Sequence, residues 1–244
     1  LIGKIILPWF GGTPAVWTTC MLFFQVLLLG GYAYAHWSTS RLSPRQQGRV
    51  HLVLLALAVA VTAPTILPGE GWKPVGDESP VPVILGLLAV SVGLPYFTLS
   101  ATGSLTQAWF SRNHPQRSPY ALYALSNIGS LLGLLTFPFV VEPRLTAGQQ
   151  ASLWFWGYAL FAGLCGALAV RSGQRSPGAA AIVPDAGDVA PAPAPALGLR
   201  LVWVGLAACA STMLLAVTNQ MAIDVASVPF LWVVPLSLYL LSFI

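Results

Sequence analysis

Three histidines are the residues whose type best suits metal chemistry. His36, His51 and His114 are the only histidines of the chain, and a neutral imidazole is a good ligand for a transition metal or for haem iron. His36 is predicted to end one helix and His51 to begin the next, which puts both rings on the same side of the protein. No carboxylate or thiolate completes a ligand set near them. We favour the simpler interpretation that all three are polar residues at helix ends, and we expect no cofactor.

A second group of polar residues could line a cavity for a cationic or polar solute. Asn219 and Gln220 run toward Asp224 at the end of one apolar segment, and Gln25 and Asn127 lie within two others. Asp224 would then supply negative charge for an amine. The alternative is a polar helix end near lipid headgroups, with Asp224 capping the following helix. We favour the cap.

The composition identifies the solvent around these residues. Of the 244 residues, 56% are hydrophobic and 7% are charged, whereas a soluble domain carries about 25% charged residues. So few charges cannot cover a water-facing surface, and the chain is therefore predicted to be an all-α, polytopic membrane protein. Its net charge of +4 comes from arginines in short loops, so we expect no binding to nucleic acid.

Apolar runs long enough to cross a bilayer set the number of helices. A span takes about 20 residues, and in lipid it must be a helix, because no water satisfies its backbone groups. The runs lie at about 15–36, 50–67, 81–104, 120–141, 151–170 and 200–222, with a partial run at 228–244 and a stub at 1–8. We expect seven to eight transmembrane segments, with the chain cut within a helix at each end.

Basic residues predict the orientation of these helices. They outnumber acidic residues in every second loop, as Arg41, Arg45 and Arg49, then Arg112 and Arg117, then Arg171, Arg175 and Arg200. Cytoplasmic loops of membrane proteins are enriched in Lys and Arg. We therefore place these loops in the cytoplasm of a bacterial inner membrane. Prolines at 95, 138 and 235 are expected to kink their helices, and tryptophans, Trp109 among them, to lie near the membrane surface.

The segment at 172–199 differs in kind from the apolar runs. It is rich in Pro, Ala and Gly, and its APAPAP stretch favours extended polyproline structure. We interpret it as a cytoplasmic linker between a six-helix bundle at 1–171, whose first helix is partial, and the first two helices of a second bundle at 200–244. This is the layout of a major-facilitator-type transporter.

Small and polar residues interrupt the apolar centre of the fifth segment. Ser126, Ser130 and Gly133 fall near one helical face, and Gly129 and Gly133 have GxxxG spacing. Lipid tails are as apolar as leucine, so membrane helices associate through close backbone approach and interhelical hydrogen bonds. We predict a helix-packing seam here. The alternative is that neighbouring Asn127 faces a cavity and contacts a ligand.

Three blocks of the sequence resemble the membrane portion of fused major-facilitator/spermidine-synthase-like proteins. They are LPWFGGTPAVWTTCMLFFQVLLLGGYAYAH, SPYALYALSNIGSLLGLLTFPFVVEP and TNQMAIDVASVPFLWVVPLSLYLLSFI. The resemblance covers nearly the whole chain apart from the linker. It implies a transporter-like or membrane-anchoring domain with a role linked to polyamines. In family members, further helices and a Rossmann-like aminopropyltransferase domain follow.

No residue of this chain matches the enzymatic half of that family. We identify no nucleophile paired with a base and no glycine-rich nucleotide loop, and the isolated Cys20, Cys165 and Cys209 form no redox motif. We therefore expect no catalytic residue. Mid-membrane charge, which marks ion-coupled carriers, is also missing from the sequence. The alternative function is an accessory or scaffold subunit, and the expected partners are the lipid bilayer and either other membrane subunits or the remainder of the protein.

Overall fold

The computed structural model of the chain describes residues 2–11, 13–74, 79–114, 116–174, 195–224, 233–241 and 244. Every regular element among these residues is helical, which confirms the all-α class. Five helices of the described part are long and apolar enough to cross a membrane. The prediction of seven to eight spans remains a prediction, and most of the linker at 172–199 lies outside the described residues.

Eight helices in the described residues are named here in chain order. They are α1 (Ile2–Phe10), α2 (Pro14–Arg41), α3 (Pro44–Thr65), α4 (Pro80–Asn113), α5 (Tyr120–Arg144), α6 (Ala147–Gln174), α7 (Leu197–Asp224) and α8 (Val233–Leu241). The five candidate spans lie in α2 to α6.

The boundary between α2 and α3 is set by a local capping signal. Ser43 Oγ accepts a hydrogen bond from the Gln46 N–H at 3.4 Å, and Gln46 Oε1 accepts one from the Ser43 N–H at 3.0 Å. This reciprocal pair is a capping box, with proline at the first helical position. The turn is therefore only Leu42 and Ser43. Arg45 and Arg49, which we expected in a loop, lie in the first two turns of α3.

Each of the helices α4 and α5 contains one π-helical turn beside a proline. The turns lie at Ala89–Gly93, just before Pro95, and at Phe137–Val141, which includes Pro138. A proline lacks the N–H donor, and its ring crowds the carbonyl four residues earlier. A wider turn accommodates this mismatch without ending the helix.

Two helix pairs, α2 with α4 and α3 with α6, form the centre of the bundle. Glycines bring the backbones of each pair into contact. A Cβ built on Gly31 would lie 2.6 Å from Ser100 Cβ and 2.9 Å from the Ala101 backbone nitrogen, and one built on Gly48 would lie 2.8 Å from the Ala169 carbonyl oxygen. These contacts are the close approach that holds helices together in lipid.

The packing seam predicted in α5 is not formed by the described residues. A Cβ on Gly129 or Gly133 would meet none of their atoms within 4 Å, and Ser126 and Ser130 are exposed. Ser130 Oγ instead donates to the Ser126 carbonyl of its own helix at 3.1 Å. Contact of this stripe with a further helix remains a prediction.

Charges are distributed unevenly between the two ends of the bundle. We call the end where α2, α4 and α6 finish the arginine end; its arginines are Arg41, Arg45, Arg49, Arg112, Arg117 and Arg171. Glu70 and Glu142 lie at the opposite end. There Lys73 Nζ donates to Glu70 at 2.7 Å and lies 5.6 Å from the Trp9 ring. The hydrogen bond from Lys73 holds the pKa of the Glu70 carboxyl below its usual range.

Candidate functional site

Polar side chains are buried between the central helices near the arginine end. They include Ser38, Gln47, His51 and Ser172, and Thr98 is buried nearer the middle of α4. A buried polar group costs free energy unless it is hydrogen-bonded. The hydrogen-bond partners of each buried side chain therefore indicate whether that side chain holds helices together or is available to a ligand.

Gln47 of α3 connects three helices. Its Nε2 donates to Ser38 Oγ of α2 at 3.4 Å. Its Oε1 accepts from Trp109 Nε1 at 3.0 Å and from Arg112 Nη1 at 3.5 Å, both on α4. Trp109 is thus buried between helices near the end of α4, and its predicted place near the membrane surface remains a prediction. The amide fixes how α2, α3 and α4 meet at this end.

His51 is fully buried one turn further along α3. Its Nδ1 lies 3.4 Å from the Tyr34 hydroxyl, and its Nε2 lies 3.5 Å from Cys165 Sγ. The ring stacks on Tyr34 and meets the edge of Trp109 at a centroid distance of 5.8 Å. The prediction that His51 lies at a water boundary is wrong, because this face of α3 points at α2, α4 and α6.

His36 and His114 do not join His51. Both are exposed, and the His114 ring stacks on Phe110. Within the described parts of the chain, no three His, Cys, Asp or Glu side chains come together. His51 and Cys165 alone fall short of the roughly four ligands of a structural zinc site, so the pair acts as a contact between α3 and α6.

A cavity of about 510 Å³ opens between α4, α5 and α6 at the arginine end. Its polar lining consists of Thr106, Asn113, His114, Ser126, Arg171 and Ser172, and its apolar lining of Trp109, Phe110, Leu122, Leu125 and Leu168. Asn113 Nδ2 donates to Ser172 Oγ at 3.3 Å, which joins α4 to α6. The volume and the mixture of aromatic and polar groups suit a small-molecule site.

The residues predicted to line a shared polar cavity are spread over three helices. Gln25 lies on α2, Asn127 on α5, and Gln220 and Asp224 in the last turn of α7. Gln220 Nε2 donates to Asp224 Oδ2 at 2.7 Å, so the carboxylate is bound within its own helix, and the favoured cap of α8 is not seen in the described residues. The side chain of Asn219 and the residues just before α8, where the predicted cap would act, lie outside the described part of the chain, so the cap remains a prediction. The shared cavity remains a prediction.

Among the residues predicted to line the polar cavity, Asn127 has a buried amide without a hydrogen-bond partner in the described residues. Leaving its Nδ2 unpaired costs about 1–3 kcal/mol. The preceding residue, Ser126, lines the α4–α5–α6 cavity. A ligand or a further helix would satisfy this amide.

Sequence reasoning missed the buried polar face of α3. Gln47, His51, Leu55, Ala58 and Thr62 are all buried, and their spacing of three or four residues is that of one helical face. The pattern is visible in the sequence, but the assignment of 37–49 to a loop concealed its first turns.

Comparisons of the chain with protein-family models, curated proteins and solved structures find no match. The resemblance to fused major-facilitator/spermidine-synthase-like proteins therefore rests on the three sequence blocks, and the geometry of the helices carries the proposals below.

Proposed function

We propose that the chain is a transporter-like membrane domain of the fused major-facilitator/spermidine-synthase-like kind, and that it binds a small solute in the cavity between α4, α5 and α6. The supporting observation is that this cavity brings together aromatic, apolar and polar side chains from three helices, among them Phe110, Ser126 and Arg171. A largely apolar lining with a few polar groups is typical of small-molecule sites.

The charges of the cavity favour a neutral or anionic solute. Arg171 lines it, and residues 109–120 and 168–174 contain no Asp or Glu. A polyamine would be repelled by this cation. We therefore assign the polyamine link implied by the resemblance to the aminopropyltransferase-like domain of family members. The chain itself is proposed to be non-catalytic.

Filling the cavity should abolish solute binding. Ser126→Trp places an indole in the cavity, whereas Ser130→Trp adds the same group one turn along α5, at a position that does not line the cavity. We expect a solute from a panel of small carboxylates, sugars and polyamines to raise the thermal unfolding midpoint of the purified chain. Ser126→Trp should weaken its apparent affinity at least tenfold, or about 1.4 kcal/mol, and Ser130→Trp should not.

Two results would contradict this function. One is that no solute of the panel stabilises the chain. The other is that the two tryptophan variants bind equally well, because the solute would then lie outside the cavity.

The proposed orientation places the arginine end in the cytoplasm of a bacterial inner membrane. In a chain whose Cys20, Cys165 and Cys209 are replaced by alanine, Glu70→Cys should react with a membrane-impermeant maleimide added from outside. Arg117→Cys should react only after the membrane is opened. Labelling of both cysteines from the same side would refute the topology.

A second candidate function, a scaffold or accessory subunit, is favoured by α7. All residues at 197–213 are exposed, so α7 presents apolar side chains in every direction. A helix that is apolar all round is surrounded by lipid or by other helices. Purification from native membranes in mild detergent separates the two functions: a stoichiometric membrane partner supports the scaffold, and a solute-binding monomer supports the transporter-like domain.

A further inference from the structure

A groove of about 420 Å³ lies between the start of α3 and the end of α6, separate from the solute cavity. Its floor is the place where the two backbones touch. A Cβ on Gly48 would lie 2.8 Å from the Ala169 carbonyl oxygen, and one on Gly173 would lie 3.3 Å from Arg45 Cα. Because Gly48 and Gly173 have no side chains, the neighbouring residues of α3 and α6 form the walls of the groove.

Two arginines form the charged part of this groove. Arg45 and Arg49 line it one helical turn apart, and both are exposed. Neither forms an ion pair with a described residue, and residues 37–51 and 168–174 contain no Asp or Glu. Like charges at this spacing repel each other, and the positive N-terminal end of the α3 dipole adds to them. An anion between the two side chains would relieve this repulsion.

An apolar wall continues from the charged pair toward the middle of the helices. Leu52 and Val170 line the groove and are 42% and 41% exposed. Leu52 packs over α6, since its Cδ1 lies 3.0 Å from a Cβ built on Gly166. Leu52 lies three positions after Arg49, which is about 4.5 Å along the helix. The apolar surface therefore lies deeper in the membrane than the charges.

We propose that this groove binds an anionic phospholipid. The headgroup phosphate would lie between the guanidinium groups of Arg45 and Arg49, which can each bind it through two hydrogen bonds, and an acyl chain would lie along Leu52 and Val170. A free phosphate would use only the charged half of the groove, whereas a phospholipid matches both halves. Basic pockets between membrane helices are recognised headgroup sites. This proposal does not depend on solute transport.

Competition between two phospholipids tests the site. The purified chain in detergent is mixed with equal amounts of phosphatidylglycerol and phosphatidylcholine, and the bound lipids are counted by native mass spectrometry. We expect at least tenfold enrichment of phosphatidylglycerol. The enrichment should disappear in Arg45→Gln/Arg49→Gln and persist in Arg117→Gln, which removes a cation from the same end but outside the groove.

One further variant tests the groove without removing charge, and inorganic phosphate as a competitor tests whether the bound anion is a lipid. Val170→Trp blocks the apolar wall without changing charge and should also reduce the enrichment, so the site can be tested even where the double glutamine variant fails to fold. Unchanged enrichment in either groove variant would overturn the proposal, as would an equal loss in Arg117→Gln. Complete displacement of the lipid by inorganic phosphate would assign the groove to a free anion and also overturn it.

Discussion

Gly31→Leu is expected to force α2 away from α4 and to destabilise the bundle by about 3 kcal/mol, the upper part of the usual range for overpacking. Even the first carbon of the new side chain would lie 2.6 Å from Ser100 Cβ and 2.9 Å from the Ala101 backbone nitrogen. Because one of these neighbours is backbone, rotation of a side chain cannot relieve the overlap. Thermal unfolding of the purified chain in detergent, followed by circular dichroism, measures the loss.

Gly103→Leu provides the matched control for this substitution. Gly103 lies on α4, and a Cβ there would meet no described atom within 4 Å. Leucine also has a higher helix propensity than glycine, by roughly 0.8 kcal/mol, so this variant should be as stable as the parent chain or more so. Equal stability of Gly31→Leu and Gly103→Leu would show that α2 and α4 do not touch at Gly31.

Gln47→Leu should also cost about 3 kcal/mol, because it leaves the buried Trp109 indole N–H without an acceptor and breaks the other links of the Gln47 amide. Trp109 Nε1 loses its acceptor at 3.0 Å, and the contacts to Ser38 and Arg112 are lost as well. Each buried polar group left unpaired costs about 1–3 kcal/mol. Gln116→Leu, at an exposed loop position, should change the free energy of unfolding little.

A double-mutant cycle separates the hydrogen bond from general disruption. Removing both partners of a buried hydrogen bond can be nearly neutral, so Trp109→Phe should cost less in the Gln47→Leu background than in the parent chain. The two residues are in direct contact and are therefore expected to couple. Strictly additive losses would mean that the bond between the Gln47 amide and the Trp109 indole contributes no stability.

The helical class was predictable because the low content of charged residues indicates a lipid environment, and a chain that crosses lipid forms helices. The ends of the helices were not, because hydropathy detects only apolar residues, whereas α2 continues through Ser38 to Arg41 and α3 begins at Pro44. The Ser43–Pro44–Gln46 signal in the sequence marks the true start of α3. Reading that signal first would have placed Arg45 and Arg49 on a helix.

The spacing of glycines in the sequence does not determine which of them lie at a contact between helices. Gly129 and Gly133 have the spacing of a packing motif, yet the closest backbone contacts in the described residues occur at Gly31 and Gly48. A close approach needs a partner helix at the same height, and that is decided by how the whole bundle assembles. In the same way, the hydropathy of the sequence places His51 at a helix end, whereas in the structure α2, α4 and α6 surround it.

The two-residue turn at Leu42 and Ser43 bears on how the chain enters a membrane during synthesis. The turn is flanked by Arg41, Arg45 and Arg49, and moving three arginines through the bilayer centre would cost about 8 kcal/mol on the scale of translocon insertion. So short a turn also leaves no room for α3 to insert separately from α2. The two helices should therefore insert together as a hairpin, and this turn should stay on the side of the ribosome.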